Sequence, residues 1–280
     1  MEVVRTREAL RAALPRFPER LLVPTMGNLH AGHLALVAEA RRRGGPVVVS
    51  IFVNRLQFGA GEDFDRYPRT LARDLDLLRE AGCDLVFAPD EGEMYPEPQT
   101  FRVRPDPALA GVLEGAVRPG HFEGVTTVVM KLFALTAPRA AVFGKKDYQQ
   151  LLVIRRMVAQ FGFPIEIIAH ETVREADGLA LSSRNGYLSP EERSRAPQFY
   201  AVLAGLAAEA GKLEQPAALR AAVARAEARL WDAGFGVDYV TIRRRADLGL
   251  PEAGEVGPGR LVVLGAVRLG STRLIDNVEF

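Results

Sequence analysis

The sequence predicts a doubly wound α/β fold, a mostly parallel sheet with helices on both faces, followed by a smaller C-terminal α+β domain. Three observations lead there. Short β-branched runs, apolar on both alternations, recur through the first roughly 170 residues as strands covered on both faces would. A helical period follows nearly every one of them, as in βαβ units. Beyond Ser189 the order changes to two Ala/Arg/Glu-rich helices and then three strands. The change places a domain boundary around Glu171–Gly178, giving expected domains 1–172 and 173–280, and a length of 280 residues accommodates both.

Arg5–Leu14 has a short helical pattern, and Leu21–Thr25 is an apolar run ending at Pro/Gly punctuation, a buried strand. Next, Leu34, Val37 and Ala38 form an apolar stripe that ends in Arg41-Arg42-Arg43 before Gly44-Gly45: a helix with a cationic last turn and a glycine stop. Val47–Val53 reads as a strand, Thr70–Ala81 as a helix and Asp84–Ala88 as a strand. The alternation resumes with a helix over Gly124–Leu135, a strand over Ala140–Phe143, a helix over Tyr148–Phe161 and a strand over Ile165–Ala169. In the tail, helices are expected over Pro190–Ala210 and Pro216–Ala233, and strands over Val237–Arg243, Arg260–Val267 and Thr272–Val278.

Composition narrows the function classes. Hydrophobic residues at 48% and charged residues at 25% exclude a disordered chain. A formal net charge of +1 lacks the electrostatic footprint of a nucleic-acid or membrane-surface binder. No apolar run approaches the ~20 residues of a membrane span, the N-terminus lacks the apolar core of a signal peptide, and the single cysteine, Cys83, suits a reducing compartment; the expected location is the cytoplasm. Only four of the 36 basic residues are Lys, at 131, 145, 146 and 212, and Asn occurs only at 28, 54, 185 and 277, so each occurrence is informative.

Four segments concentrate polar chemistry: Met26–His33, Asn54–Gly59, Gly144–Gln150 and Leu181–Gly186. At least three follow a predicted strand, and in an open parallel sheet the carboxyl ends of the strands converge on one ligand crevice. The first holds two of the four histidines, His30 and His33, at i, i+3 across a helix start, where imidazoles and backbone N–H groups suit phosphate oxygens. Packed or capping histidines are the plain alternative; a metal site lacks a third ligand at helical spacing. Asn54 and Gln57 are amides able to donate and accept toward hydroxyl or carboxylate groups, though a polar loop after a strand is also ordinary. Lys145 and Lys146 place half of the lysines together before a helix, as a phosphate site or a solvated basic loop. Ser182, Ser183, Arg184 and Asn185 suit a polyphosphate clamp, and Asn185-Gly186 also suits a turn. No P-loop, G-x-G-x-x-G after the first strand, or G-x-S-x-G elbow is present, which leaves histidine-based phosphate binding as the best account.

The run Val23–His33, with its H-x-G-H core, resembles the nucleotide-binding signature of the pantothenate synthetase (pantoate–β-alanine ligase) family, in the HIGH-motif nucleotidylyltransferase superfamily. Ser50–Asn54 with Gln57-Phe58, Tyr67–Thr70, Arg118–Phe122, Lys146–Gln150, Asp177–Tyr187 and Leu274–Asn277 resemble it too, in order, across essentially the whole chain. Two positions depart from it: Arg55 stands where the family usually has Pro, and Lys145 where it has Glu.

The resemblance implies a Rossmann-like nucleotide- and pantoate-binding domain with a C-terminal lid, and ATP-dependent condensation of pantoate with β-alanine through a pantoyl adenylate, releasing AMP and pyrophosphate. It implies His30, His33 and Lys146 as catalytic residues, with His33 the proton donor. It implies ATP contacts from Met26, Gly27, Asn28, Leu29, His30, Ala31, Gly32, His33, Gly144, Lys145, Lys146, Asp147, Val173, Leu181, Ser182, Ser183 and Arg184, and substrate contacts from Gln57, Gln150, Asn54 and His121. ATP and Mg²⁺ are the implied cofactors, no metal ligand is assigned, and a homodimer is expected. An AMP transferase sharing the H-x-G-H segment and a non-enzymatic nucleotide-binding regulator are the alternatives.

Overall fold

The computed structural model describes residues 1–257 and 259–280 and divides into two compact units. The first comprises Met1–Lys145 with Gln149–Glu171, the second Lys146–Tyr148 with Thr172–Phe280.

In the first unit a six-stranded sheet is formed by β1 (Glu2–Val4), β2 (Leu21–Thr25), β3 (Val47–Ile51), β4 (Leu85–Phe87), β5 (Ala140–Gly144) and β6 (Glu166–His170), in the order β1-β4-β3-β2-β5-β6 with every pair parallel. The helices are α1 (Arg7–Ala13), α2 (Ala31–Arg42), α3 (Leu71–Glu80), α4 (Glu91–Met94), α5 (Pro107–Ala110), α6 (Glu114–Val117), α7 (His121–Thr136) and α8 (Tyr148–Phe161). Strand alternation sorts side chains to two cores. Leu22, Val48, Leu85, Phe87, Ala141 and Phe143 pack with α1, α7 and α8, whereas Leu21, Val23, Val47, Val49, Val86 and Val142 pack with α2 and α3. The chain runs outward from β2 through β3 to β4 and then restarts on the opposite side of β2 with β5. The switch point therefore lies between β2 and β5, and the crevice of a doubly wound sheet opens beyond the carboxyl ends of those strands.

The second unit is built on an antiparallel sheet of β7 (Gly236–Arg244), β8 (Leu261–Leu269) and β9 (Thr272–Glu279), with helices α9 (Pro190–Arg195), α10 (Pro197–Ala210) and α11 (Pro216–Asp232). Phe199, Leu203, Leu206, Ala222 and Leu230 of its helices share a core with Val240, Val263 and Val267 of its strands.

The fold class is as expected, with local differences: the short helices α4, α5 and α6 are not among the expected elements, and three further differences follow. Glu2–Val4 forms an edge strand too short, with only Val4 buried, to register as a hydrophobic pattern. The helix expected from Gly124 begins at His121. The single helix expected over Pro190–Ala210 is two, because Pro197 has no N–H to donate to the preceding turn.

Candidate active site

The loop after β2 is shaped by two left-handed residues, Gly27 at φ +81° and Asn28 at φ +50°. They turn successive N–H groups toward Asp74 of α3, whose Oδ2 accepts from Asn28 N–H at 2.9 Å and Oδ1 from Leu29 N–H at 2.9 Å. The chain then enters α2 through a reciprocal cap. His30 Nδ1 accepts from Gly32 N–H at 3.1 Å, and His33 Nδ1 accepts from His30 N–H at 3.4 Å, with ring centroids 4.0 Å apart. A nitrogen that accepts from an amide carries no proton, so this pattern assigns both rings the Nε2–H tautomer and makes Nε2 the donor. The cap uses Nδ1 of each ring and places both imidazoles at the N-terminus of α2, a helix end that favours anions.

The loop after β3 adds a fixed amide pair. Asn54, 1% exposed, donates through Nδ2 to Gln57 Oε1 at 3.0 Å and to the Gly124 carbonyl at 3.1 Å, while its Oδ1 accepts from Tyr95 O–H at 2.8 Å and Leu56 N–H at 3.4 Å. Its four hydrogen-bonding positions are taken by the protein, so it orients Gln57 more than it reads a ligand. With Oε1 held, Gln57 presents Nε2, which donates to Met26 Sδ at 3.2 Å. Burial pushes the Tyr95 phenol above its ordinary range, keeping the O–H as donor.

His121, on the first turn of α7, meets the same loop from the other side. Its Nδ1 lies 2.9 Å from the Gln57 carbonyl and its Nε2 3.1 Å from Arg118 Nη1. Since the carbonyl only accepts and the guanidinium only donates, the ring is neutral with its proton on Nδ1. Burial first, and the Arg118 charge second, lower its pKa to about 4. Arg118 also makes a bidentate pair with Glu62 at 2.8 and 2.6 Å. That partner holds the Glu62 carboxyl below its ordinary value even though burial, the largest influence, acts to raise it.

At the end of β5, Gly144 leads into a 3-10 turn over Lys145–Asp147, and Lys145 pairs with Glu171. Gln149 is buried and holds the α5–α6 segment, donating to the Leu109 and Val112 carbonyls at 2.7 and 2.8 Å and accepting from Glu114 N–H at 3.1 Å. Gln150, half-buried on the same turn, has no side-chain hydrogen bond among the described residues.

Within the second unit, the Lys146 carbonyl accepts from Asn277 Nδ2 at 3.0 Å, which anchors its backbone. The Val173 carbonyl accepts from Leu181 N–H at 3.0 Å, and Ser182 Oγ accepts from Arg184 N–H at 3.2 Å, starting the turn that carries Ser183 and Arg184. Arg174 locks this loop to β9 through a bidentate pair with buried Asp276 at 2.7 and 2.9 Å and lies over the Tyr200 ring at 3.7 Å.

Direct contacts gather the sequence-predicted residues of the first unit into two groups: His30 with His33, and Met26, Asn54 and His121 around Gln57. Sequence reasoning missed Asp74 and Tyr95 as supports. Asp74 carried a signal, because a carboxylate there interrupts the apolar stripe of α3 four residues before Leu78; Tyr95 carried none. Among the described residues no group of three or more His, Cys, Asp or Glu is arranged to hold a metal ion, and no helix is long and apolar enough to cross a membrane.

The model of the pantoate-beta-alanine ligase family matches residues 2–279. Pantothenate synthetases of Leptothrix cholodnii and Thiobacillus denitrificans are each 60% identical over the whole chain, covering 100% and 97% of those proteins. Among solved structures, a pantothenate synthetase from Thermus thermophilus superposes with a TM-score of 0.93 at 51% identity, over 100% of this chain and 99% of that one. A pantoate-beta-alanine ligase from Francisella tularensis complexed with beta-gamma ATP and beta-alanine superposes at 0.81 with 30% identity, over 100% and 97%. The chain belongs to the pantoate-beta-alanine ligase family.

Proposed function

We propose that this protein is an AMP-forming carbon–nitrogen ligase that condenses pantoate with β-alanine to pantothenate. In the first step a pantoate carboxylate oxygen attacks the α-phosphorus of ATP, and the bond to pyrophosphate breaks. In the second the β-alanine amine attacks the acyl carbon of pantoyl adenylate, AMP leaves, and the amine loses a proton. The observation that carries this reading is the reciprocal His30–His33 cap at the start of α2, beside the switch point of the sheet, which places two imidazoles of the Nε2–H tautomer together at a helix N-terminus.

In this reading His30 and His33 donate to phosphate oxygens, with His33 the proton donor. Lys146 bridges phosphate and carboxylate oxygens, and Ser182, Ser183 and Arg184 hold the departing pyrophosphate. The loop residues Gly27, Asn28, Leu29, Ala31 and Gly32 line the phosphates, and Met26, Gly144, Lys145, Asp147, Val173 and Leu181 frame the rest of ATP. Gln57 and Gln150 read the pantoate hydroxyls, with Asn54 and His121 near β-alanine. The hydrogen bonds refine two of these roles: Asn54 acts through Gln57, and neutral His121 holds the Gln57 carbonyl. Mg²⁺ enters with the nucleotide as MgATP, in keeping with its habit of binding through phosphates and few protein ligands. Residues 1–172 bind nucleotide and pantoate, residues 173–280 act as the lid that keeps water from the mixed anhydride, and the working form is a cytoplasmic homodimer.

An AMP-release assay with pantoate and β-alanine omitted in turn tests the proposal: sustained AMP release requires both. Accumulation of an adenylylated product in place of AMP would favour the transferase alternative, and ATP binding without turnover the regulator.

A further inference from the structure

Asp74 is fully buried on α3, 46 and 45 residues along the chain from the two amides its carboxylate accepts from. Its Oδ1 takes a further hydrogen bond from Thr70 O–H at 3.1 Å, so both oxygens are occupied by groups that only donate to it. The two amides belong to Asn28 and Leu29, the residues just before the His30 cap, and Asn28 lies in the left-handed region. Successive N–H groups in such a turn form a concavity that ordinarily takes an anion. Here the protein supplies its own. The turn is also closed from above, because a Cβ at Gly27 would lie 3.1 Å from Asp74 Oδ2 and 3.1 Å from Ile51 Cγ2.

We propose that Asp74 is a positioning residue for the adenylation step: it clamps the Asn28 and Leu29 amides and thereby fixes where His30 and His33 present their Nε2–H groups. The inference rests on the reading of those histidines as phosphate donors. Its physical basis is the number of constraints. A left-handed Asn costs energy and persists only where its surroundings over-determine it, and the carboxylate is what joins the loop to the rigid helix behind it. Released from the clamp, the loop relaxes toward ordinary backbone conformations, and the imidazoles move with it. A misplacement of about 1 Å in a reacting geometry is worth about 10²-fold in rate.

The experiment compares Asp74→Asn, Thr70→Val, Leu78→Ala and His33→Ala in pantoate-dependent exchange of pyrophosphate into ATP, with hydrogen exchange followed in the peptide spanning residues 26–34. Asp74→Asn keeps the volume but turns one acceptor into a donor facing an amide. The expected result is loss of protection in that peptide and a fall of about 10²-fold in the maximal exchange rate, with the KM for pantoate within threefold of wild type. Thr70→Val, which keeps both amide bonds, shifts the same two readouts in the same direction by less, and it carries the test if Asp74→Asn fails to fold. Leu78→Ala, which removes a buried side chain from the same helix face, lowers the melting temperature and leaves the exchange rate unchanged. Exchange at the wild-type rate in Asp74→Asn, or in Thr70→Val where Asp74→Asn does not fold, with His33→Ala inactive, overturns the clamp. Wild-type exchange in His33→Ala overturns the reading on which it rests.

Discussion

Gly124 lies on α7 where the helix meets the turn over Arg55–Gln57, and its replacement by Ala gives a sharp test of how the Gln57 amide, proposed above to read pantoate, is held. A Cβ added there would sit 2.6 Å from Gln57 N and nearer still to the Leu56 carbonyl carbon and oxygen. An ordinary contact needs about 3.5 Å, so the turn, the helix or both must shift by about 1 Å. Helix propensity alone predicts the opposite sign, since Gly→Ala in a helix interior is favourable by about 1 kcal/mol. Overpacking against backbone, which cannot rotate out of the way, costs about 1–3 kcal/mol and should win. The displacement falls on Gln57 itself, and it also strains the 3.1 Å bond from Asn54 Nδ2 to the Gly124 carbonyl. Steady-state kinetics with pantoate as the varied substrate should show kcat/KM lower by about 10²-fold, on the effective-geometry scale used above, and thermal denaturation a modest loss of stability. Wild-type kcat/KM in a variant of unchanged or raised melting temperature would refute the packing argument, because the turn would then have absorbed the methyl group without moving Gln57.

Lys146→Ala should abolish adenylate formation, by at least about 10²-fold as for other preorganised transition-state donors, while leaving the fold intact, since the Asn277 bond is to the Lys146 backbone; circular dichroism with pyrophosphate release checks both. His121, with its pKa lowered from 6.5 to about 4, stays neutral in the folded protein while the unfolded chain takes up a proton below pH 6.5. Its contribution to stability is therefore complete above pH 6.5 and is lost as pH falls toward 4, a decline of roughly 3 kcal/mol. Denaturant titrations across that window should show the decline in the wild type and a flatter profile in His121→Gln. Arg174→Gln leaves the Asp276 carboxylate buried without its cation, and should cost about 3–5 kcal/mol and lower the melting temperature measured by calorimetry.

Much of the first unit was legible because its strands are buried on both faces and its helices are long. Runs such as Val47–Ile51 alternate between two cores with no polar break except Ser50, and the helix over 148–161 matched its expected bounds. Strand β4 was legible because all three of its residues are buried, but the equally short β1 and the shortest helices, at 91–94, 107–110 and 114–117, escaped. They are held by single side chains from far along the chain, Gln149 in the case of α5 and α6, and no local period encodes that. The histidine pair, the Gln57 loop and the lysine pair stood out through residue scarcity and their place after strands. Their supports did not. Asp74 left only the break it makes in the apolar stripe of α3, Tyr95 reads as part of a polar loop, and Asn54 as a free amide, although its oxygen and both its protons are already committed.

The proposed role of the His30–His33 cap is in the transfer of the α-phosphorus to a pantoate carboxylate. Isotope exchange between pyrophosphate and ATP measures that step alone. Exchange should depend on pantoate, proceed without β-alanine, and fall by at least about 10²-fold in His33→Ala with no change in melting temperature. Exchange that runs without pantoate, or that survives in His33→Ala, would contradict it.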